Sequence, residues 1–136
     1  MLNKKSFIPF QEQLSFEERK RKAEELLSLY PERIPTIIEK DRTLLEIEQS
    51  EEYTNEKKIP NTTKVKYLMN KTDTVDMLII VVKNQLRINS EQAIFLLANN
   101  KYALSGSSIM STVYQKYKNE DGFLYLTFVL ESVWGC

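Results

Sequence analysis

The sequence predicts an α+β fold in which helices pack against a mixed four-stranded sheet. Apolar residues recur at helical spacing in some segments and in short apolar or alternating runs in others. The last of these runs, Phe123 to Leu130, is nearly continuously apolar, which is typical of a strand covered on both faces and therefore central in a sheet. The chain has 136 residues, 42% of them hydrophobic, so we expect one domain (1–136) with one core.

The first long helix is predicted between Ser15 and Pro31. Ser15 and Glu18 have the spacing of a capping box, and Pro31 ends the run. Apolar residues recur between them near helical spacing: Phe16, Ala23, Leu27 and Tyr30. The short segment Phe7 to Phe10 is compatible with a further helical turn, so residues 1–30 form a predicted N-terminal helical extension.

Two strands come next, separated by a long connection. Arg33 to Lys40 is short and rich in isoleucine, and Pro35 within it favours an edge or irregular position. In Lys64 to Met69 the side chains alternate, with Lys64, Lys66 and Leu68 on one face and Val65, Tyr67 and Met69 on the other, as in a strand. The connection, 41–63, is far longer than a hairpin turn; its apolar part, Leu44 to Ile47, either extends the preceding strand or belongs to a mobile insertion, which we favour.

The second half of the chain alternates helices and strands. Thr72 to Thr74 supplies caps for a helix whose apolar stripe must face a core: Val75, Leu78, Ile79, Val82 and Leu86. Ala93 to Ala98 is predicted as a buried strand ended by the turn pair Asn99-Asn100. Ser107 or Ser108 then caps a helix that carries Ile109, Met110, Val113, Tyr114 and Tyr117.

The order of elements predicts the topology. Two strands, a crossover helix and two more strands, with the last one central, indicate a β-grasp sheet folded around the Val75 to Leu86 helix. Asp121-Gly122 provides the turn into the final strand.

Composition excludes several function classes. The 19 basic and 19 acidic residues balance, and the basic run Arg19 to Lys22 lacks interleaved aromatics, so a nucleic-acid partner is disfavoured. The single cysteine forms no internal disulfide, and no apolar run approaches the length of a membrane span, which favours a cytoplasmic setting. The chain has no histidine, no glycine-rich phosphate loop and no clustered metal ligands, so the sequence indicates no cofactor and no metal.

The final strand continues into a tail, 131–136, whose penultimate residue is Gly135. Glycine lacks Cβ, so an extended backbone ending there can enter a narrow enzymatic cleft, and its carboxylate carries no neighbouring side chain. Removal of Cys136 would uncover that carboxylate. The alternative is that the tail is an ordinary frayed terminus.

Short segments spread along the chain resemble, in order, those of the autophagy ubiquitin-like modifiers, the family of GABARAP and the microtubule-associated light chain proteins. The resemblance spans about Phe10 to Gly135. The segments that carry it are Phe16-Glu17-Glu18-Arg19, Tyr30-Pro31-Glu32-Arg33-Ile34-Pro35, Glu39-Lys40, Tyr67-Leu68, Ala93-Ile94-Phe95, Met110, Tyr114-Gln115, Asp121-Gly122-Phe123-Leu124-Tyr125 and Gly135.

The resemblance implies a modifier that is itself no enzyme. In that family, β-grasp proteins with two extra N-terminal helices are trimmed by a cysteine protease, carried as thioesters by activating and conjugating enzymes, and joined to phosphatidylethanolamine. Gly135 would be the conjugated residue and Cys136 the removed one. The protein would then be cytoplasmic, and lipid-anchored on autophagosome and vesicle membranes once conjugated. The alternative is an unconjugated peptide-binding adaptor in vesicle traffic or cytoskeletal attachment.

The family also binds short aromatic-x-x-aliphatic motifs of autophagy receptors, which add a strand to the sheet edge. By position, the resemblance implies an aromatic-accepting pocket formed by Leu26, Pro35, Ile37, Lys66, Leu68 and Phe123. It implies an aliphatic pocket formed by Tyr67, Met69, Leu78 and Val81. Arg33 and Lys66 would attract acidic residues that flank such peptides. Taken without the resemblance, Leu26, Ile37, Leu78 and Val81 are predicted to be core residues.

Some positions depart from the family pattern, and we expect them to shift peptide preference or processing: Lys22, Asn70, Asp73, Gln85 and Leu97.

Overall fold

The computed structural model describes residues 9–41, 64–88 and 91–130. In chain order its helices and strands are α1 (Phe10–Gln13), α2 (Phe16–Leu29), β1 (Arg33–Lys40), β2 (Lys64–Asn70), α3 (Val75–Leu86), β3 (Ile94–Ala98), β4 (Tyr102–Ala103), α4 (Met110–Tyr117) and β5 (Leu124–Leu130). The predicted insertion at 41–63 lies, except for Asp41, outside the described residues, as do the tail 131–136 and residues 1–8.

The strands form one mixed sheet in the order β2-β1-β5-β3-β4. β1 pairs antiparallel with β2 and parallel with β5, while β3 pairs antiparallel with both β5 and β4. The predicted central position of the last strand is therefore confirmed, since β5 lies between β1 and β3. The α+β class and the β-grasp arrangement are confirmed as well.

The predicted number of strands was wrong by one. The described sheet gains β4, whose two residues, Tyr102 and Ala103, pair with Ala98 and Leu97. Asn99 and Asn100 make this possible because both adopt positive φ, at 53° and 59°, as in a tight hairpin turn. The sequence marks this turn, but two residues after it are too few to show a strand pattern.

Pro35 was predicted to favour an edge or irregular position, and the edge alternative was wrong, because β1 is paired on both sides. Pro35 is opposite Leu68 in β2. Opposite residues of an antiparallel pair of strands alternate between pairs that share hydrogen bonds and pairs that do not. The Lys71 N–H donates to the Glu32 carbonyl, so that pair is hydrogen-bonded, and the Pro35–Leu68 pair, three residues along, is not. The missing N–H of Pro35 therefore faces β5, one residue before the β1–β5 ladder begins at Thr36, so no ladder bond is lost.

Helix α2 begins as predicted. The Ser15 hydroxyl accepts a hydrogen bond from the Glu18 N–H at 3.2 Å, and the Glu18 carboxylate accepts one from the Ser15 N–H at 3.4 Å. The predicted cap of α4 was wrong. Its N-cap is Ile109, without a side-chain bond, and the Met110 N–H donates to the Asp73 carbonyl. The Ser111 N–H donates to the Lys71 carbonyl, so backbone groups of the loop before α3 satisfy this helix end.

Two apolar layers cover the two faces of the sheet. On one face, α3 and α4 enclose the main core, and the predicted stripe of α3 lies in it, with Val75, Leu78, Val82 and Leu86 buried. On the other face, α1 and α2 cover a smaller cluster: Phe10, Ala23, Ile37 and Phe123. None of the described helices is long and apolar enough to cross a membrane.

Candidate functional site

A groove of about 650 Å³ lies where helix α2 passes over the β1–β2 side of the sheet. Its floor is apolar because Phe10, Ile37 and Phe123 are buried there. The rings of Phe10 and Phe123 meet edge to face, with centroids 5.2 Å apart. The lining residues are Phe10, Lys22, Glu25, Leu26, Arg33, Pro35, Thr36, Ile37, Leu68 and Phe123.

This groove brings together most of the predicted aromatic-accepting pocket. Of its six predicted residues, five line the groove: Leu26, Pro35, Ile37, Leu68 and Phe123. The side chain of Lys66 lies outside the described part of the structure. The sequence did not lead us to assign Phe10, Glu25 or Thr36 to the groove. For Phe10, the only indication in the sequence was the apolar pair Phe7 and Phe10 around Pro9.

Charged side chains surround the opening of the groove. Lys22 and Glu25 project from successive turns of α2, and Arg33 stands at the start of β1. Lys22 is one of the positions at which we expected altered peptide preference. An apolar floor with a charged opening suits one large apolar side chain of a ligand whose flanking residues are polar.

The structure places two residues of the predicted aliphatic pocket, Met69 and Leu78, in the main core. Leu78 is 0% exposed and Met69 is 7% exposed, and both belong to the main core. Val81 is exposed on the outer face of α3, and the side chain of Tyr67 lies outside the described part of the structure.

The edge of β2 carries backbone groups that face away from the sheet. The register makes Leu68 and Asn70 members of pairs without mutual hydrogen bonds, so their N–H and C=O groups point outward. The chain itself occupies three of these groups. The Arg33 guanidinium donates to the Leu68 carbonyl at 3.1 Å. The Asp73 carboxylate accepts from the Asn70 N–H at 3.0 Å, and the Asp73 N–H donates to the Asn70 carbonyl at 3.1 Å.

A buried polar network holds α2 above the groove floor. Arg19 of α2 donates to the carboxylate of Asp121 at 2.6 Å, and their side chains are 11% and 0% exposed. The hydroxyl of Tyr125 donates to the same carboxylate at 2.6 Å, and the Phe123 N–H donates to its other oxygen at 2.8 Å. The ion pair joins α2 to the turn before β5 and so fixes one wall of the groove relative to its floor.

The network also changes proton affinities. Burial raises the pKa of Tyr125, and its hydrogen bond to Asp121 raises it further. Burial alone would lower the pKa of Arg19, but the hydrogen bond with Tyr125 and the attraction of Asp121 outweigh it and raise that pKa. The network therefore keeps Arg19 charged and Tyr125 neutral.

Comparisons with known proteins agree with this architecture. The sequence model of the family described as "Autophagy protein Atg8 ubiquitin like" matches residues 18–135. The chain belongs to the Atg8 family. It is 38% identical over 120 residues to Autophagy-related protein 8e of Arabidopsis thaliana, covering 88% of this chain and 87% of that protein.

Other Atg8 relatives are similar over nearly the full length. Autophagy-related protein 8 of Mycosarcoma maydis is 35% identical over 127 residues, which cover 93% of this chain and 95% of that protein. Human microtubule-associated protein 1 light chain 3 gamma is 28% identical over 131 residues, which cover 96% of this chain and 81% of that protein. The crystal structure of Trypanosoma brucei ATG8 superposes with a TM-score of 0.73 at 26% identity, covering 93% of this chain and 97% of that one. The protein is therefore an autophagy-related ubiquitin-like protein of the Atg8 family.

Proposed function

We propose that this Atg8-family protein is a modifier conjugated through Gly135 to phosphatidylethanolamine, and that its groove recruits receptors carrying aromatic-x-x-aliphatic peptides. The observation that carries the proposal is the apolar groove beside the outward-facing backbone of β2. The protein would supply binding surfaces and a carboxylate, while a processing protease and activating and conjugating enzymes would supply the chemistry. It is thus proposed to be no enzyme itself, and to be cytoplasmic until conjugation places it on autophagosome and vesicle membranes.

The conjugation part rests on the chemistry of the tail. The family match extends to residue 135, the position of Gly135. Removal of Cys136, the next residue, would free a carboxylate without a side chain beside it. Two acyl chains anchor a protein stably, whereas one holds it only marginally, at about 0.8 kcal/mol per buried CH₂. Joining Gly135 to a phospholipid would therefore confer stable membrane attachment.

The peptide-binding part rests on the groove and the sheet edge together. An extended peptide that pairs with β2 gains main-chain hydrogen bonds, and a side chain inserted beside it supplies specificity. Here the groove opens next to Leu68, whose backbone faces outward. A large aromatic side chain placed over Phe123 and against Leu26 would bury apolar surface on both partners.

The conjugation part is tested by intact mass. The chain is incubated with ATP, phosphatidylethanolamine vesicles and a cytosolic extract that conjugates another Atg8-family protein, and Gly135→Ala is run in parallel. We expect the natural chain to lose Cys136 and then to gain the mass of one phospholipid. The Gly135→Ala variant should show neither this gain in mass nor flotation with the vesicles. An unchanged mass in that competent extract would instead favour an unconjugated adaptor.

The peptide part is tested with a labelled peptide that contains a tryptophan-x-x-leucine motif, measured by fluorescence anisotropy. Leu26→Ala removes one wall of the groove, while Leu29→Ala removes the same group from the same helix at a position that is 61% exposed and outside the groove. We expect Leu26→Ala to weaken binding about tenfold and Leu29→Ala to leave it unchanged. Equal affinity of both variants would contradict the assignment of the groove.

A further inference from the structure

A patch of two tyrosines and two lysines lies at the β4 edge of the sheet. Tyr102 of β4 and Tyr117 of α4 stack, with their ring centroids 5.5 Å apart and their planes 26° apart. The ammonium of Lys101 stands 5.3 Å from the centre of the Tyr102 ring, and that of Lys116 stands 5.3 Å from the centre of the Tyr117 ring. We call these four residues the β4 patch.

The β4 patch is open to solvent. Tyr102 is 45% exposed, Tyr117 is partly buried, and both lysines are exposed. Among the residues that the structure describes, neither lysine belongs to an ion pair. The ring stacking and the two cation–π contacts hold the four side chains together. A ligand would therefore find them already arranged, and little side-chain entropy would be lost on binding.

The part of the chain that carries the β4 patch has charges of one sign. Residues 92–119 contain three lysines and no aspartate or glutamate. The basic run of α2 differs, because its exposed cations, Lys20 to Lys22, are accompanied on the same helix by four glutamates. The β4 patch is therefore the more cationic of these two surfaces.

The sheet places the β4 patch and the groove at opposite edges. The strand order is β2-β1-β5-β3-β4, so four strand spacings, about 19 Å, separate β4 from β2. The groove lies on the β1–β2 side, where α2 passes over the sheet. A flat surface that contacts the β4 patch would thus leave the groove open on the far side of the domain.

The β4 patch is within reach of the residue that we propose to be conjugated. Along β3, four residues separate Ile94, the partner of Leu130, from Ala98, the partner of Tyr102. That distance of about 13 Å and the two strand spacings between β5 and β4 combine to about 16 Å between Leu130 and Tyr102. Five residues lead from Leu130 to Gly135, and five extended residues span about 17 Å. A lipid on Gly135 can therefore lie in a bilayer that also meets the patch.

We propose that the β4 patch binds the anionic surface of the membrane to which the chain is conjugated, and thereby turns the groove toward the cytosol. The inference rests on the proposed conjugation to phosphatidylethanolamine. Tyrosine rings favour the level of the lipid headgroups, and lysines beside them attract anionic lipids. Each lysine near such a surface shifts the binding equilibrium about fivefold, so the two together shift it about 30-fold.

A contact of this strength is weak for a free chain but effective for an anchored one. Two lysines without a lipid hold a free chain on a membrane only weakly. Once a lipid holds the tail in the bilayer, the patch meets the surface as an intramolecular contact, at a high effective concentration. An acidic peptide would also satisfy the lysines, but it does not explain why the patch lies within reach of Gly135 and opposite the groove.

The test attaches the full chain to vesicles without the conjugating enzymes. Cys136 is the only cysteine of the chain, so a phospholipid that bears a maleimide joins the chain to the membrane at the residue after Gly135. Vesicles of phosphatidylcholine alone are compared with vesicles rich in phosphatidylserine. Tyrosines are oxidised with hydroxyl radicals, and the oxidation of each is measured by peptide mass spectrometry.

The measured quantity is the oxidation of Tyr102 relative to that of Tyr30. Tyr30 follows α2 and is 47% exposed, against 45% for Tyr102, so it is a matched reference in the same sample. We expect this ratio to fall about threefold on phosphatidylserine vesicles compared with phosphatidylcholine vesicles, because the membrane then covers Tyr102. The fall should disappear at high salt, which screens the attraction of the lysines.

Two double variants identify the charges responsible. Lys101→Gln with Lys116→Gln removes the cations of the β4 patch, and the fall in the ratio should be lost. Lys20→Gln with Arg21→Gln removes the same charge from exposed positions on α2, and the fall should be kept. Each variant is compared with itself on the two kinds of vesicle, so a change in the free exposure of Tyr102 does not affect the result.

Three other outcomes would overturn the inference. Equal oxidation of Tyr102 on both kinds of vesicle would show that the patch does not meet the membrane. A fall that survives removal of the patch lysines would show that other residues make the contact. A fall produced equally by soluble polyglutamate, with the chain on phosphatidylcholine vesicles, would assign the patch to an acidic partner. The chemical attachment separates all three from a failure of the proposed conjugation, which the intact-mass experiment tests by itself.

Discussion

The ion pair between α2 and the β5 turn predicts a large stability loss from one substitution, Arg19→Met. This change keeps the length of the side chain but removes its charge and its donors. Asp121 is then left buried with the Tyr125 hydroxyl and the Phe123 N–H as its partners, and without a cation. The Leu14 carbonyl also loses the donor that now lies at 3.2 Å.

The size of the loss depends on the burial of the pair. Breaking a buried ion pair by removing one partner costs about 3–5 kcal/mol. Arg19 keeps 11% of its side-chain exposure and two other donors to Asp121 remain, so we expect the lower end, about 3 kcal/mol. In a domain of this size that lowers the Tm by about 10 °C.

The assay is urea denaturation monitored by far-ultraviolet circular dichroism, with Arg21→Met as the control. Arg21 lies on the same helix and is exposed, so its replacement should change the free energy of unfolding by less than about 0.5 kcal/mol. The double variant with Asp121→Ala should lose less than the sum of the two single losses, because each removes the same interaction. Equal stability of the Arg19→Met and Arg21→Met variants would refute the reasoning.

Three further predictions concern pH, the core and the turns. Because the pKa of Tyr125 is raised above the ordinary value near 10, the folded state holds that proton more tightly than the unfolded chain. The free energy of unfolding should thus be insensitive to this group below about pH 9, fall as the pH rises above about 10, and fall less steeply in Tyr125→Phe by urea titration. Leu78→Ala should cost about 3 kcal/mol, because the side chain is fully buried, whereas Val81→Ala should cost less than about 1 kcal/mol. A stable Leu78→Ala that loses only peptide affinity would show a pocket residue where we assign a core residue. Gly122→Ala should cost about 2 kcal/mol, since φ is +98° and the new methyl would lie 2.9 Å from a methyl of α2. Gly106→Ala would meet only the flexible end of an exposed carboxylate and should cost less than about 1 kcal/mol in thermal unfolding.

The fold was predictable from the sequence because its signals are periodic and local. The stripe of α3, the capping box of α2 and the apolar run of β5 each act over a few residues, and each was found where expected. The errors have a different origin. Pro35 indicates an edge only if its missing N–H would fall within a strand ladder. Here it falls one residue before the β1–β5 ladder begins at Thr36, and that register is set by residues far away in the sequence. β4 is too short to carry a pattern of its own.

The candidate site was predictable in part. The aromatic-accepting pocket was assigned by resemblance, and its side chains converge because β1, β2 and the start of β5 are neighbours in the sheet. The approach of Lys71 to Lys118 could not be foreseen, since they are 47 positions apart, 118 minus 71, and only the packing of α4 beside the β2 end places both around one cavity of about 330 Å³. The burial of Leu78 was predictable, because the apolar stripe of α3 marks it as a core position.

The Arg33 side chain connects the groove to the sheet edge. In the free chain its guanidinium donates to the outward-facing carbonyl of Leu68. A peptide strand pairing with β2, as proposed, needs that carbonyl as an acceptor. Such a peptide would therefore replace the Arg33 bond with its own and leave the guanidinium free to bind an acidic residue beside the motif. The attraction of flanking acidic residues to Arg33 should thus strengthen once the peptide is paired with the edge, because that pairing releases the guanidinium.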